Sequence, residues 1–349
     1  MALLALLALL ALPYMFDIIT IGSATRDVFV ISKSFIALKS KKFPTGSGEC
    51  VALGSKVDLD KLVLTTGGGA TNAAATFGSL GFHSATMTRI GDDSSGKDVI
   101  DDLSRFGVST HNVRMIKDGQ TGFSILLTMP DGERTVLVYR GVSSTFETKD
   151  INWEGCKQTK WIYLTSLGGN LSLSKKIIQH ANKCGIKVAW NPGAGEIKHG
   201  MKEIKQLLPM VDVLNINTEE AKLLTGKRSI KTMFDELKTK CMIRLITDGT
   251  NGSYVWENGK ILHAGTTGAR AISRTGAGDA FGSGFVAGLM KKVLPLPKGE
   301  TEGVAAIKFA LAVGTLNAES VIQSYGAKNG ILKKWPSILA ISKIKIVSI

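Results

Sequence analysis

Apolar residues along this chain switch between two periods, and the switches mark out its elements. Phe16-Asp-Ile-Ile-Thr-Ile is a short apolar run ending at Gly22, as expected of a buried strand entering a turn. Gly67 to Leu80 carries small and apolar residues at helical spacing and stops at Gly81, a natural residue just past a helix end. The pattern next predicts a strand over 85–90 and a helix over 95–106 closed by Gly107. From Trp161 onward the alternation is regular. Strands are expected at 161–165, 186–190, 211–216, 242–247 and 253–256, with helices at 172–184, 200–208, 218–225, 231–240, 279–292 and 302–322. This rhythm predicts an α/β fold whose mostly parallel sheet is covered by helices on both faces.

Two stretches break the rhythm. Residues 28–64 and 112–140 are rich in alternating and turn-forming positions. The clearest hairpin joins Phe123–Thr128 to Thr135–Tyr139 across Met129-Pro-Asp-Gly-Glu133. Both stretches are expected to supply a small β lid to a single domain over 15–349. Residues 1–14, a low-complexity apolar run closed by Pro13, are set aside from the fold. The run is shorter than the roughly 17–25 residues that span a bilayer. It also lacks the cationic start and cleavage pattern of a secretory signal. No membrane association is expected.

Composition changes this picture little. The chain is 44% hydrophobic and 21% charged, as globular proteins are. Its net charge of +14 comes without an aromatic-interleaved basic stripe, so it is read as a solvated surface rather than a nucleic-acid site. Cys50, Cys156, Cys184 and Cys241 are far apart and form no C-x-x-C pair, which fits a reducing, cytoplasmic compartment.

Candidate chemistry concentrates where glycines open helices. In Thr275-Gly-Ala-Gly-Asp279, the amides of Gly276, Ala277 and Gly278 face outward with no bulky side chain in the way, and the helix dipole favours an anion there. Asp279, on the first turn, can accept a hydroxyl proton. Taken alone, the segment equally describes an acid near an N-cap. Thr66-Gly-Gly-Gly-Ala-Thr-Asn72 is a second such entry, suited to a polyol, and it lacks the spacing of a dinucleotide fingerprint. Gly91-Asp-Asp-Ser-Ser-Gly-Lys97 nearly matches a P-loop, but Asp98 occupies the Ser/Thr position, so a capped helix start with Ser94 or Ser95 near the cap is expected. Asn217 and Glu220 lie one helical turn apart and can hold the water shell of Mg²⁺. Thr247-Asp-Gly-Thr-Asn-Gly252 reads as a turn between strands that can clasp a nucleotide.

In this order and spacing, these segments resemble the ribokinase-like carbohydrate kinases, the PfkB family, over residues 16–332. Gly22-Ser-Ala-Thr-Arg-Asp27 and Val138-Tyr-Arg-Gly141 add to the likeness. The resemblance implies a three-layer α/β/α domain with a β lid, using ATP and Mg²⁺ to phosphorylate a small-molecule hydroxyl. It implies that Asp279 is the base, with Gly276, Ala277 and Gly278 as an anion hole. Asp27, Gly68, Gly69, Asn72 and Arg140 would bind the acceptor, a sugar or sugar-like molecule. Asn217 and Glu220 would organise Mg²⁺ through water, and Thr247, Gly249 and Gly252 would line the nucleotide site. Asn317 would approach the adenine.

Two departures stand out. Ser273 replaces an acid that helps hold a monovalent cation in many members, which leaves K⁺ activation open, and Arg274 offers charge to the phosphates instead. Thr165-Ser-Leu167 also lacks the acceptor contact of sugar-specific relatives. A nucleoside kinase and a catalytically silent binding module of the same fold are the competing readings. A protruding lid could pair two copies.

Overall fold

The computed structural model describes residues 15–129, 133–238, 243–257, 259–291 and 301–349. The apolar run 1–14, the hairpin residues 130–132 and the ends of the 231–240, 242–247 and 279–292 predictions lie outside them.

In chain order the strands begin with β1 (Phe16–Ile21), β2 (Thr25–Ile31), β3 (Ile36–Lys39), β4 (Ser47–Cys50) and β5 (Lys61–Gly67). Then come β6 (Ser84–Gly91), β7 (Val113–Ile116), β8 (Gly122–Thr128), β9 (Arg134–Tyr139), β10 (Thr159–Leu164) and β11 (Lys187–Trp190). The series closes with β12 (Val213–Asn217), β13 (Ile243–Thr247), β14 (Ser253–Glu257), β15 (Lys260–Ala264) and β16 (Ile346–Ser348). Ten of them form one sheet, in the order β16-β15-β14-β13-β12-β11-β10-β1-β6-β7. It is parallel from β7 to β13 and antiparallel beyond.

Side-chain alternation splits this sheet between two cores. Ile19, Ile21, Ile162 and Leu164 join one cluster, which includes Ile177 and Ile178 of the helix Leu171–Lys183. Ile18, Trp161 and Tyr163 join the other, with Phe77, Phe285 and Leu311 from the helices Gly69–Ser79, Ala277–Met290 and Glu302–Val321. Three layers result. The helix Glu302–Val321 is apolar and long enough to cross a bilayer, and most of that apolar stretch is packed inside this second core.

A separate four-stranded sheet, β5-β2-β8-β9, is joined to the main sheet at the C-terminal end of β1, since β2 begins at Thr25 just after β1 ends at Ile21. The 112–140 interval expected to feed it is divided. β7 pairs parallel with β6 in the main sheet, because the helix Ser94–Arg105 makes an ordinary β-α-β crossover between them. Only β8 and β9 reach the lid, while β3 and β4 make a small sheet of their own. The C-terminal strand β16, which closes the sheet edge, was not legible in the short apolar run around it.

Candidate active site

In open α/β sheets the crevice beyond the strand C-termini is where ligands bind. Here β12 ends at Asn217, β13 ends at Thr247, and β11 is followed by Asn191. All three line a pocket of about 220 Å³ together with Asn215, Glu220, Gly276, Gly278 and Asp279. A larger pocket of about 780 Å³ adjoins it, lined by Thr247, Gly249, Gly252, Arg274, Ala277, Gly278 and Glu319 among others. Thr247 and Gly278 belong to both.

The turn between them is built from glycine for two reasons. Gly276 caps the helix Ala277–Met290 at φ +81°, and a Cβ there would come within 2.3 Å of the Ala327 Cβ. At Gly278, by contrast, a Cβ would meet nothing within 4 Å, so the space before the helix N-terminus is open. The first-turn amides have no carbonyl four residues back to bond. Ala277 N–H makes only a long 3.4 Å contact to the Arg274 carbonyl. The turn therefore presents free donors to an anion.

Asp279 is the third residue of this helix. Its Oδ2 accepts a 2.8 Å hydrogen bond from Asn72 Nδ2, on the first turn of the helix Gly69–Ser79. Asn72 Oδ1 is buried with no partner, an acceptor free for a ligand hydroxyl. Gly68 caps that second helix at φ +101°, where a Cβ would come within 2.4 Å of the Ser23 carbonyl oxygen. Gly69 donates its amide to Ser23 Oγ at 3.2 Å. Asp27 of β2 is buried on the cleft-facing side of the lid, its Oδ1 accepting from Thr25 Oγ1 at 2.9 Å. The two glycine-opened helices thus bring Asp279 and Asn72 together, and β2 places Asp27 beside Gly67, two residues before the second helix.

Residues 17–333 match the family described as pfkB family carbohydrate kinase. The chain belongs to this family. An ATP-dependent ribose-1-phosphate kinase from Halopiger xanaduensis is 31% identical to it over 255 residues, which cover 72% of this chain and 80% of the relative. Adenosine kinase from Sinorhizobium meliloti superposes with a TM-score of 0.71 at 21% identity, over 94% of this chain and 98% of that one. Arabidopsis thaliana ribokinase, solved with ribose and ATP, superposes at 0.69 and 20% identity, over 94% and 98%. The three-layer architecture and lid are those of the ribokinase-like kinases.

Electrostatics separate the groups of this carbohydrate kinase. Burial raises the Asp279 carboxyl above its ordinary value and Asp27 adds to the rise, while the Asn72 bond and Lys328 pull it down. Burial likewise raises Asp27, against Thr25 and Lys328. Glu220 is raised by burial and by the neighbouring Asp279 and Glu196 carboxylates.

Other residues singled out in the sequence have structural partners of their own or stand apart. Asn217 and Glu220 form a reciprocal capping box at 2.8 and 2.9 Å, so each already has a structural duty at the helix Thr218–Thr225. Arg140 is exposed at the lid root, and no hydrogen bond or ion pair among the described residues ties it to Asp279. Asn317 is not at the nucleotide pocket. It is fully buried, donating to the Ala280 carbonyl at 2.8 Å and to Thr76 at 3.3 Å, and accepting from Leu332 N–H at 3.0 Å. Thr315, Ala318 and Glu319, on the other side of its helix, line the pocket instead.

The near P-loop is a lid anchor. Asp93, rather than Ser94 or Ser95, caps the helix, accepting from Gly96 N–H at 2.7 Å and from Thr121 N–H and Oγ1 at 2.8 and 2.6 Å. Asp98 pairs with Arg26 of β2 at 2.9 Å, and Asp102 accepts from Thr66 of β5 at 2.5 Å. Thr121 immediately precedes β8, so one helix holds the roots of three lid strands.

Asn191, Asn215 and Lys328 were missed. Asn215 left a signal, as a polar residue inside the apolar strand Val-Leu-Asn-Ile. Lys328 left none, because its loop has no periodicity.

Proposed function

We propose that this carbohydrate kinase transfers the γ-phosphoryl group of ATP to a hydroxyl of a sugar or sugar-like molecule, with Asp279 as general base. The observation that carries this reading is the Gly276–Asp279 turn. It faces the larger pocket through Ala277 and Gly278 and the smaller one through Gly278 and Asp279. A nucleotide in the larger pocket would direct its terminal phosphate to the free amides. Arg274, in the wall of that pocket, would add positive charge. The acceptor, held by Asp27, Asn72 and the Gly68–Gly69 backbone, would give its proton to Asp279 as its oxygen bonds to phosphorus and the β,γ-bridging bond breaks to release ADP.

The smaller pocket suits Mg²⁺. Its lining offers the oxygens of Asn191, Asn215, Asn217, Glu220, Thr247 and Asp279, and among the described residues no lysine or arginine. Such hard donors fit an ion that keeps several waters. When bound with ATP, Mg²⁺ would neutralise charge on the β- and γ-phosphates. Ser273 is buried and accepts from Thr275 N–H at 3.3 Å, with no carboxylate at that position to hold a monovalent ion. Activity is therefore expected to be independent of K⁺. A many-fold rise on replacing Na⁺ with K⁺ would overturn this.

The Asp279→Asn enzyme is expected to lose turnover by orders of magnitude while ATP binding is largely kept. Near-normal turnover in the purified variant would sink the mechanism. ADP release from a panel of pentoses, hexoses, sugar phosphates and nucleosides identifies the acceptor. Ribose 1-phosphate heads the panel on the strength of the 31% identical relative.

A further inference from the structure

Glu196, the third residue of the short helix Ala194–Ile197, has no exposed surface, and its carboxylate is held by hydrogen bonds. Oε1 accepts from the Leu167 and Gly169 amides at 2.7 and 2.9 Å. Oε2 accepts from Ser166 Oγ at 2.8 Å and from the Gly193 amide at 3.1 Å. A carboxylate out of reach of water needs such donors. They come from two loops, residues 166–169 after β10 and Gly193 after β11, so one side chain ties the two together. Packing between the loops is close. A Cβ on Gly193 would lie 2.6 Å from Ser166 Oγ, and one on Gly195 would lie 2.8 Å from Gly169 Cα.

The tied loop meets the acceptor end at Thr165. This buried residue donates its amide to the Ile21 carbonyl at 2.9 Å and its hydroxyl to the same oxygen at 3.2 Å. A Cβ on Gly22 would collide with Thr165 Oγ1, and one on Gly69 would stand 3.0 Å from it. Thr165 therefore fills the space beside the turn after β1 and the turn that opens the helix Gly69–Ser79. The Gly168 amide donates to Ser166 Oγ at 3.2 Å, so it too is committed within the protein, like the Thr165 and Ser166 hydroxyls and the Leu167 and Gly169 amides. Such a wall acts on a ligand through where it stands rather than through bonds of its own. We propose that Glu196 is a positioning residue for the acceptor, a buried tie that holds Thr165 and residues 166–169 against Gly22 and Gly69. The inference rests on the reading that the acceptor lies along Gly68 and Gly69. Among the described residues, the larger pocket is lined by neither Glu196 nor this loop, so nucleotide binding should not respond to the tie.

The test separates the KM values for acceptor and nucleotide, using the panel member of highest turnover as acceptor. In Glu196→Gln the amide oxygen can keep the Leu167 and Gly169 bonds, but its NH2 would face the Gly193 N–H, donor against donor. The tie between the loops then breaks at nearly constant volume. The acceptor KM is expected to rise roughly tenfold, as for one lost hydrogen bond to a charged group. Both kcat and the KM for ATP should stay within about twofold of the parent, the pattern of a lost binding contribution. Ser166→Ala removes a single bond and should raise the acceptor KM about threefold, and it decides alone if Glu196→Gln does not fold. An unmoved acceptor KM in the deciding variant, or a KM for ATP that rises by the same factor, would overturn the proposal. Asn72→Ala separates the two claims. If it raises the acceptor KM and Glu196→Gln does not, the tie alone fails; if it leaves the acceptor KM unmoved, the placement of the acceptor fails.

Discussion

At the scale of single residues, the site depends on positions where a side chain is either indispensable or intolerable. Gly276→Ala would force a Cβ into the left-handed region, which costs about 1–2 kcal/mol, and drive it into Ala327. The expected result is a lowered melting temperature together with loss of kcat, and a variant with unchanged kcat would contradict the anion-hole reading. Because burial raises the Asp279 carboxyl, its ionised form is lost at higher pH than for an ordinary aspartate. The rate should therefore fall on the acid side at a pH above the ordinary aspartate value of 3.8, and a plateau extending down to that pH would count against Asp279. The glycine-opened helix start was legible because few residues tolerate the left-handed cap that Gly276 adopts. The duty of Asn317 was misread because sequence gives its place on the helix but not the face that turns inward.

Among elements, the helix Ser94–Arg105 was read as a capped start although its entry imitates a phosphate-binding loop, and only the capping residue, Asp93, differs from the serines expected. Its acids instead serve the lid. Burial pulls Asp93 upward, but the bonds from Thr121 and Gly96 outweigh it and hold the carboxyl below its ordinary value. A depressed folded value means that its stabilisation is present above the unfolded pKa and is lost as pH falls through the folded one. Asp93→Ala should cost on the order of 1–3 kcal/mol near neutral pH, from the lost cap and hydrogen bonds. Urea unfolding at pH 7 and below pH 4 checks this, and the gap between variant and parent should shrink in acid. The regular alternation after Trp161 was readable because each element there has a long apolar period. β7 was not separable from the lid, since four residues of strand look alike in either sheet.

On the scale of the whole molecule, the lid has two unlike faces. Asp27 and Ser124 share the cleft side, whereas Leu62, Leu64 and Leu137 lie on the reverse, each more than half exposed. Exposed apolar patches of this kind mark contact sites, and a second copy of this chain, meeting lid to lid, is the partner we propose. Sedimentation should show a dimer that Leu64→Lys shifts toward monomer, and a monomeric parent at high concentration would exclude it. Layer order and sheet direction followed from the sequence pattern. The lid's outer face did not, because alternation gives two faces without saying which one water sees. The anchoring of β2, β5 and β8 to a single helix has a mechanical consequence. With their roots bound to a common strut, these strands cannot peel away one at a time, so the sheet must tilt as a plate. Any distortion at Thr66 would then reach Asp27 on the next strand and the Lys328 ammonium that bonds it, so the lid's angle would be passed on to the residues at its root.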